Sequence, residues 1–209
     1  MSPYLWCGGN PVRFVDPTGM SVHADEFSIK NICYTLTEDE AKYVCFDSNG
    51  VLDTKKLNMS KSTSENMVAL KTLANSDIIY SFLISDKDHS GTSYFDDSAI
   101  GGTTEMPNAV SNPSPDKEVY CIIGNLLDER QQVITTAHEG YGHAYLYEIT
   151  RDVNSASHTY RSEGRMIWDD EFQINSLETV KVPTNHFLEK QIEITTKQAG
   201  INYDKRKHK

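Results

Sequence analysis

The segment TAHEGYGHAY, residues 136–145, contains two histidines and a glutamate within six residues. His138, Glu139 and His143 are the side-chain types of a catalytic Zn2+ site, where imidazoles bind the metal and a carboxylate activates water. The zinc-protease pattern H-E-x-x-H separates its histidines by four residues, which places both on one face of a helix. Here the separation is five residues, and a regular α-helix would turn the two side chains about 140° apart. A metal site of this kind therefore requires a distorted helix.

Two glycines between the histidines make such a distortion feasible. Gly140 and Gly142 relax the restrictions on the backbone. A one-residue π-bulge, with i→i+5 hydrogen bonding, would bring His143 back beside His138, and π-bulges are frequent at functional sites. In an ordinary helix the two glycines would cost about 1–2 kcal/mol. The pattern predicts a metal site on a π-bulged helix. The alternative is a core helix in which the glycines ease close packing and the histidines are incidental.

The same residues resemble the HExxGH motif of the dipeptidyl-peptidase III family. In that family both histidines bind zinc, the glutamate activates water, and the helix absorbs the extra residue. The resemblance covers His138, Glu139, Gly142 and His143. It implies these roles here and a zincin-like site. The second motif of that family, which supplies a glutamate ligand, does not appear downstream, so the substrate preference is not carried over.

Catalytic zinc usually takes three protein ligands, and the third is not fixed by the motif. His158 follows His143 by fifteen residues, in a polar segment, and is the favoured candidate. Glu163 follows by twenty residues, a spacing similar to that of thermolysin-like enzymes. Glu193 follows by fifty residues and lies in the last predicted helix.

These assignments predict a zinc-dependent metallopeptidase that acts on a protein or peptide substrate. Glu139 is the expected general base, and Tyr160 or Tyr141 is a candidate donor to the oxyanion, a role zincins commonly give to Tyr or His. Both tyrosines could instead serve packing or surface roles. Two other functions stay open: a non-catalytic binding or structural domain with a closed metal site or none, and metal-assisted hydrolysis of a non-peptide amide. Glu139 favours catalysis, because a closed site needs no acid-base carboxylate.

Apolar patterning predicts an α+β fold around this segment. Strands are expected at 77–85, around 101–106 and at 118–125, and a hairpin is expected around Asn49-Gly50. Helices are expected at 62–76, at 126–150 with Asp128 as the cap, and at 185–199. This order suits a zincin-like fold, in which a small mixed sheet packs on the active-site helix and a C-terminal helix. Residues 101–106 or 119–124 would supply an edge strand above the metal.

Residues 2–20, SPYLWCGGNPVRFVDPTGM, are rich in Gly, Pro, Asn and aromatic residues, which is typical of turns. They resemble the end of the core domain of rearrangement-hotspot (Rhs) repeat proteins, a segment of the form NPYxYxxNNPxxxxDPxGx. The matching elements are Asn10-Pro11, Phe14, Asp16-Pro17 and Gly19-Met20. The resemblance implies that residues 1–20 are the end of an Rhs core and that 21–209 form its variable C-terminal domain. Such domains are often toxins or effectors delivered to a target cell within a larger protein, and a cognate immunity protein is a candidate partner.

Composition limits the partners. The formal net charge of −10 argues against nucleic acid, and the one basic cluster, residues 204–209, is expected to be a solvated tail. No apolar run approaches the ~18 residues of a membrane span, and the N-terminus lacks the features of a signal peptide. The 209 residues suit one domain.

The cysteines form no C-x-x-C pair. Cys33, Cys45 and Cys121 lie in apolar, strand-like runs, and buried reduced thiols are expected there. Cys7 lies in the N-terminal segment. One disulfide is the alternative, should the protein function in an oxidising compartment.

Overall fold

The structure is a computed structural model that describes residues 22–93, 101–110, 112–169 and 174–208, with the backbone alone from 160 to 183. Residues 1–20, which carry the Rhs resemblance, and Cys7 lie outside the described part. The elements, in chain order, are β1 (Val22–Ala24), α1 (Glu26–Tyr34), α2 (Glu38–Ala41), α3 (Thr54–Asn58), α4 (Glu65–Ala74), β2 (Ile79–Ser85), β3 (Gly102–Glu105), β4 (Glu118–Gly124), α5 (Glu129–Thr136), a π-helix (Ala137–Ala144), α6 (Tyr145–Thr150), β5 (Tyr160–Asp169), β6 (Ile174–Pro183) and α7 (His186–Lys207).

The main sheet has four strands in the order β1-β2-β4-β3. Strands β1, β2 and β4 are parallel, whereas β3 runs antiparallel to β4 at the edge. The predicted α+β class and small mixed sheet are therefore confirmed. Strands β5 and β6 form a separate antiparallel pair, with Tyr160 opposite Pro183 and Asp169 opposite Ile174.

Side-chain caps explain where the predicted helices begin. Ser64 accepts a hydrogen bond from the Met67 N–H at the start of α4. Asp128 forms a capping box with Gln131 at the start of α5, as its sequence position predicted. Each cap satisfies a backbone N–H that has no partner within its helix. The helices expected at 62–76, 126–150 and 185–199 are all present.

The core lies between the sheet and the helices. Tyr80 and Phe82 of β2 are fully buried there, together with Leu70 of α4, Val133 of α5 and Tyr141 of the π-helix. Helix α7 packs along the π-helix and α5. The π-helix is consequently held between the main sheet on one side and α7 on the other.

Three expectations need correction: the strand at Cys33, the hairpin at Asn49-Gly50 and the full burial of Cys33 and Cys45. Cys33 lies in α1 and not in a strand, because a short apolar run does not distinguish a helix from a strand. The Asn49-Gly50 turn forms, with Gly50 at φ 71°, but its flanks pair through only the Phe46–Leu52 bridge. The described cysteines, Cys33, Cys45 and Cys121, are free. Cys121 is fully buried as expected, whereas Cys33 and Cys45 are partly exposed.

The basic segment that begins at residue 204 is not a solvated tail. It continues α7 to Lys207. Arg130 pairs with Asp204 at 2.8 Å, and Lys207 pairs with Glu129 at 2.7 Å. These ion pairs join the last turns of α7 to the first turn of α5. In the part of the chain that is described, no helix is both long and apolar enough to cross a membrane.

Candidate metal centre

The histidine segment folds as a π-helix from Ala137 to Ala144. The N–H of Tyr145, at its end, donates to the carbonyl of Gly140, five residues earlier. This is the i→i+5 bonding that the histidine spacing required. The predicted distortion is confirmed, and it extends over eight residues instead of one.

The two glycines also permit close packing. A Cβ atom on Gly140 would lie 2.3 Å from Phe82 Cε1, and one on Gly142 would lie 2.5 Å from Ile192 Cγ1. Both distances are far shorter than a van der Waals contact. The glycines therefore let the π-helix approach β2 and α7, so the close-packing role expected under the alternative hypothesis is also present.

Three imidazoles converge at this helix. His143 Nε2 lies 3.2 Å from His138 Nε2, and His158 Nε2 lies 3.5 Å from the same atom. One ligand atom from each histidine lies within 4.8 Å of the other two. Nitrogens bound about 2.0–2.1 Å from a tetrahedral ion would be about 3.3–3.4 Å apart. These three histidines could hold a metal ion.

The other candidate ligands are placed differently. Glu193 is exposed on α7 and lines a surface groove with Arg130 and Thr196. In the part of the chain that is described, it is not in the histidine cluster. The side chain of Glu163 lies outside the described part. Among the candidates whose side chains are described, His158, the favoured one, joins His138 and His143.

Hydrogen bonds on the far nitrogens orient two of the rings. His143 Nδ1–H donates to the carbonyl of Ala156 at 2.6 Å, and His158 Nδ1–H donates to Glu189 Oε1 at 2.8 Å. A proton on Nδ1 leaves the lone pair on Nε2, and in both rings Nε2 is the atom that faces His138. Metal-binding histidines are commonly oriented in this way.

Burial favours the neutral form of His138 and His143, which is the form that binds metal. His143 is 7% exposed, and burial lowers its pKa to about 4. Burial and the two neighbouring imidazoles also lower the pKa of His138. The His138 side chain remains 31% exposed, so solvent moderates that effect more than at His143. The exposed edges of His138 and His158 leave the cluster open to solvent on one side.

Glu139 lies behind the cluster as a buried carboxylate. It is 4% exposed, and its Oε1 is 4.0 Å from His138 Nε2. Its Oε2 accepts a hydrogen bond from Thr104 Oγ1 at 2.7 Å, and the same hydroxyl lies 3.1 Å from the Glu139 carbonyl oxygen. Burial raises the pKa of Glu139 to about 7, partly offset by Thr104 and His158. A carboxyl with this pKa can both accept and release a proton near neutral pH.

Sequence reasoning missed Thr104. Its position in the predicted edge strand was the only available signal, and a polar residue in an edge strand is ordinary. Its contact with Glu139 spans 35 residues, so it depends on how β3 lies across the π-helix.

The two tyrosine candidates have different outcomes. Tyr141 is fully buried, and its hydroxyl is 3.0 Å from Thr35 Oγ1 in the core. Tyr141 therefore has the packing role that its sequence left open as the alternative. Tyr160 begins β5, two residues after His158, and its side chain lies outside the described part. The oxyanion role of Tyr160 stays a prediction.

No protein-family model matches this chain, and no curated protein or solved structure matches it. The candidate function therefore rests on the geometry of the histidines and Glu139, together with the resemblances carried by the sequence.

Proposed function

We propose that this protein is a zinc-dependent metallopeptidase in which His138, His143 and His158 bind the metal and Glu139 is the general base. One observation carries the proposal: three imidazole nitrogens converge beside a buried carboxylate. A zinc hydrolase needs both features at one place.

The donor set fits zinc in a catalytic site. Neutral imidazole suits zinc, and the separations of 3.2 Å and 3.5 Å match those of nitrogens around a tetrahedral ion. A closed structural site would use four protein ligands. Among the described residues the cluster holds three, which would leave a fourth position for water and substrate. The solvent-exposed edges of His138 and His158 are consistent with that opening.

The chemistry divides between the ion and the protein. Bound zinc would supply Lewis acidity and lower the pKa of water toward ~7. Glu139 Oε1, the carboxylate oxygen nearer the histidines, takes the proton from the attacking water and delivers it to the leaving amine. Thr104 holds Oε2, so that Oε1 keeps a fixed direction toward the cluster. His143 and His158 keep their Nε2 lone pairs toward the cluster through their Nδ1–H bonds.

Strand β3 is the proposed binding site for an extended peptide. It is one of the two edge strands of the described sheet, with β1 at the other edge, and it runs antiparallel to β4. An unpaired strand edge can accept one more strand through backbone hydrogen bonds. The strand also lies close to the base: a Cβ on Gly102 would be 3.0 Å from Glu139 Cγ. This arrangement of edge strand, helix and carboxylate supports a zincin-like fold.

The biological role follows from the sequence resemblance. Residues 2–20 resemble the end of an Rhs core, so we propose that the peptidase is an Rhs-associated effector or toxin domain. It would be delivered within a larger protein and restrained by a cognate immunity protein.

The test compares the parent protein with Glu139→Gln at matched zinc loading. Zinc is measured by elemental analysis, and cleavage is measured by digestion of a peptide library. Glutamine keeps the shape of the side chain but cannot act as a base, so the variant should fold and keep its zinc. Its cleavage rate should fall about 10²- to 10⁴-fold.

Two results would overturn the proposal. Equal cleavage by the two proteins would remove Glu139 from the mechanism. Zinc bound by both proteins with cleavage by neither would favour the non-catalytic metal site.

A further inference from the structure

The three candidate ligands are held by different kinds of structure. His138 and His143 belong to one helix, and their separation is set by its backbone. His158 lies in the segment between α6 and β5, outside any helix or strand. Its position therefore depends on what holds that segment.

One side chain fixes the residues before His158. Asn185 Nδ2 donates to the carbonyls of Ser155 at 2.8 Å and Ser157 at 3.1 Å. Its Oδ1 accepts from the Leu188 N–H at 3.2 Å and so caps the start of α7. A single amide group thus joins the His158 segment to the first turn of α7.

Two further contacts act at His158 and just after it. Glu189, in the first turn of α7, accepts from His158 Nδ1–H at 2.8 Å. The N–H of Thr184, immediately before Asn185, donates to the carbonyl of Thr159 at 2.8 Å. On its other side the segment contacts the π-helix, since Ala156 accepts from His143. The segment is therefore held between the π-helix and the start of α7.

We propose that Asn185 and Glu189 are positioning residues for the metal centre. Asn185 sets the place of the His158 backbone, and Glu189 sets the tautomer and orientation of the ring. The metal-binding part of this inference rests on the proposed function, whereas the ordering of the segment does not.

This arrangement separates the cluster into a fixed pair and an adjustable third member. With the start of α7 in place, Nε2 of His158 reaches 3.5 Å from Nε2 of His138. Without it, a bound ion would keep the helical pair and lose its third ligand. Residues that orient a metal ligand typically contribute about 10- to 100-fold to metal affinity.

The decisive variant is Asn185→Asp. Aspartate is as good a helix cap as asparagine, so α7 keeps its start. It has no N–H donor, however, and it places a carboxylate against the carbonyls of Ser155 and Ser157. Glu189→Gln keeps an acceptor beside His158 but removes the charge. Glu193→Gln is the matched control, because Glu193 is exposed one turn further along α7.

Two measurements are made on each full-length variant. The first is affinity for Zn2+ and Co2+ by competition with a chelator, together with the visible spectrum of the Co2+ form, which reports the ligand geometry. The second is amide hydrogen exchange of residues 153–159 in the metal-free protein.

We expect Asn185→Asp to lower metal affinity about 10- to 100-fold and to accelerate exchange in residues 153–159. We expect Glu189→Gln to lower affinity by about 10-fold and to change the Co2+ spectrum. Glu193→Gln should match the parent in every measurement.

Parental affinity and parental exchange in Asn185→Asp would overturn the inference. A parent protein that binds neither metal would overturn the proposed function instead. In that case, amide hydrogen exchange of residues 153–159 alone would show whether Asn185 orders the His158 segment.

Discussion

His143 Nε2 lies 3.2 Å from His138 Nε2, although the two residues are five apart in sequence. The Nδ1–H of His143 is donated to Ala156, so its Nε2 presents a lone pair. Burial lowers the pKa of both rings, which favours neutral imidazoles over a charged pair. A neutral His138 can donate its Nε2–H to that lone pair, or it can carry its proton on Nδ1 and present a second lone pair to a metal ion. The π-helix therefore holds the rings in an arrangement that a metal ion would stabilise.

The first prediction concerns metal content. The purified protein should carry about one zinc ion per chain, and replacing His138 and His143 together with Ala should abolish binding. Because binding stabilises the folded state, zinc at 100 times its Kd should add about 2.7 kcal/mol to the free energy of unfolding. Elemental analysis and thermal unfolding with and without zinc measure both effects. A parent protein that contains no zinc and is not stabilised by added zinc would contradict the proposed site.

The second prediction concerns Gly142. Gly142→Ala should destabilise the protein and weaken metal binding, since the new Cβ would lie 2.5 Å from Ile192 Cγ1 and would push the π-helix from α7. Ile192→Ala removes the clashing atom. In a protein that carries Ile192→Ala, Gly142→Ala should therefore lower the free energy of unfolding by at least about 1 kcal/mol less than in the parent.

Gly200→Ala is the control for helix propensity. A Cβ there would meet Arg130 Nη2 at 3.3 Å, the far end of a flexible side chain. We expect this change in α7 to be neutral or stabilising by up to about 1 kcal/mol. Urea denaturation of the variants measures the free energies. If Gly142→Ala lowers the free energy of unfolding equally in the parent and in Ile192→Ala, Gly142 is not needed for packing against Ile192.

The third prediction concerns Thr104. Thr104→Val keeps the shape but removes the hydroxyl that donates to Glu139 Oε2. A hydrogen bond to a charged group contributes about 1.5–3 kcal/mol, so we expect a loss of stability of this order in the metal-loaded protein and a lower kcat. Thr104→Ser keeps the donor and should restore most of kcat. If Val and Ser have the same kcat, the hydroxyl does not position the base.

The candidate metal ligands and the base could be predicted from the sequence, but the residues that position them could not. The five-residue spacing and the two glycines between the histidines left few ways to make a metal site, which is why the π-helix followed from local sequence. His158 followed from the need for a third ligand. Thr104 and Asn185 could not be found in this way. Their contacts span 35 residues to Glu139 and 30 residues to Ser155, and such contacts exist only once the sheet and α7 are packed.

The same limit explains the errors in the fold. Cys33 lies in a short apolar run that does not distinguish a helix from a strand, and the structure places it in α1, partly buried against the core. The segment from 204 onward is polar, and its contacts are with residues far away in sequence: ion pairs across to α5 and a hydrogen bond from Arg206 to the Cys33 carbonyl. By contrast, Ser64 and Asp128 cap their own helices, and the cap at Asp128 was predicted correctly from the sequence.

The last prediction concerns pH and the metal-free protein. The pKa of His143 falls from about 6.5 in the unfolded chain to about 4 in the folded protein. Between these values the unfolded chain binds one more proton, so this histidine makes stability rise with pH. The pKa of Glu139 rises from about 4.5 to about 7, so between those values the folded protein binds one more proton. Glu139 therefore makes stability fall as pH rises.

These two effects oppose each other between about pH 4.5 and pH 6.5, and the parent should show little pH dependence from them. Glu139→Gln removes one of them. In that variant His143 should make the free energy of unfolding increase by about 1.4 kcal/mol per pH unit over this range, and His138 contributes with the same sign. Urea denaturation with a chelator at pH 4.5, 5.5 and 6.5 measures the slopes. Parallel curves for the parent and the variant would show that Glu139 is not held as a neutral acid beside the histidines when the metal is absent.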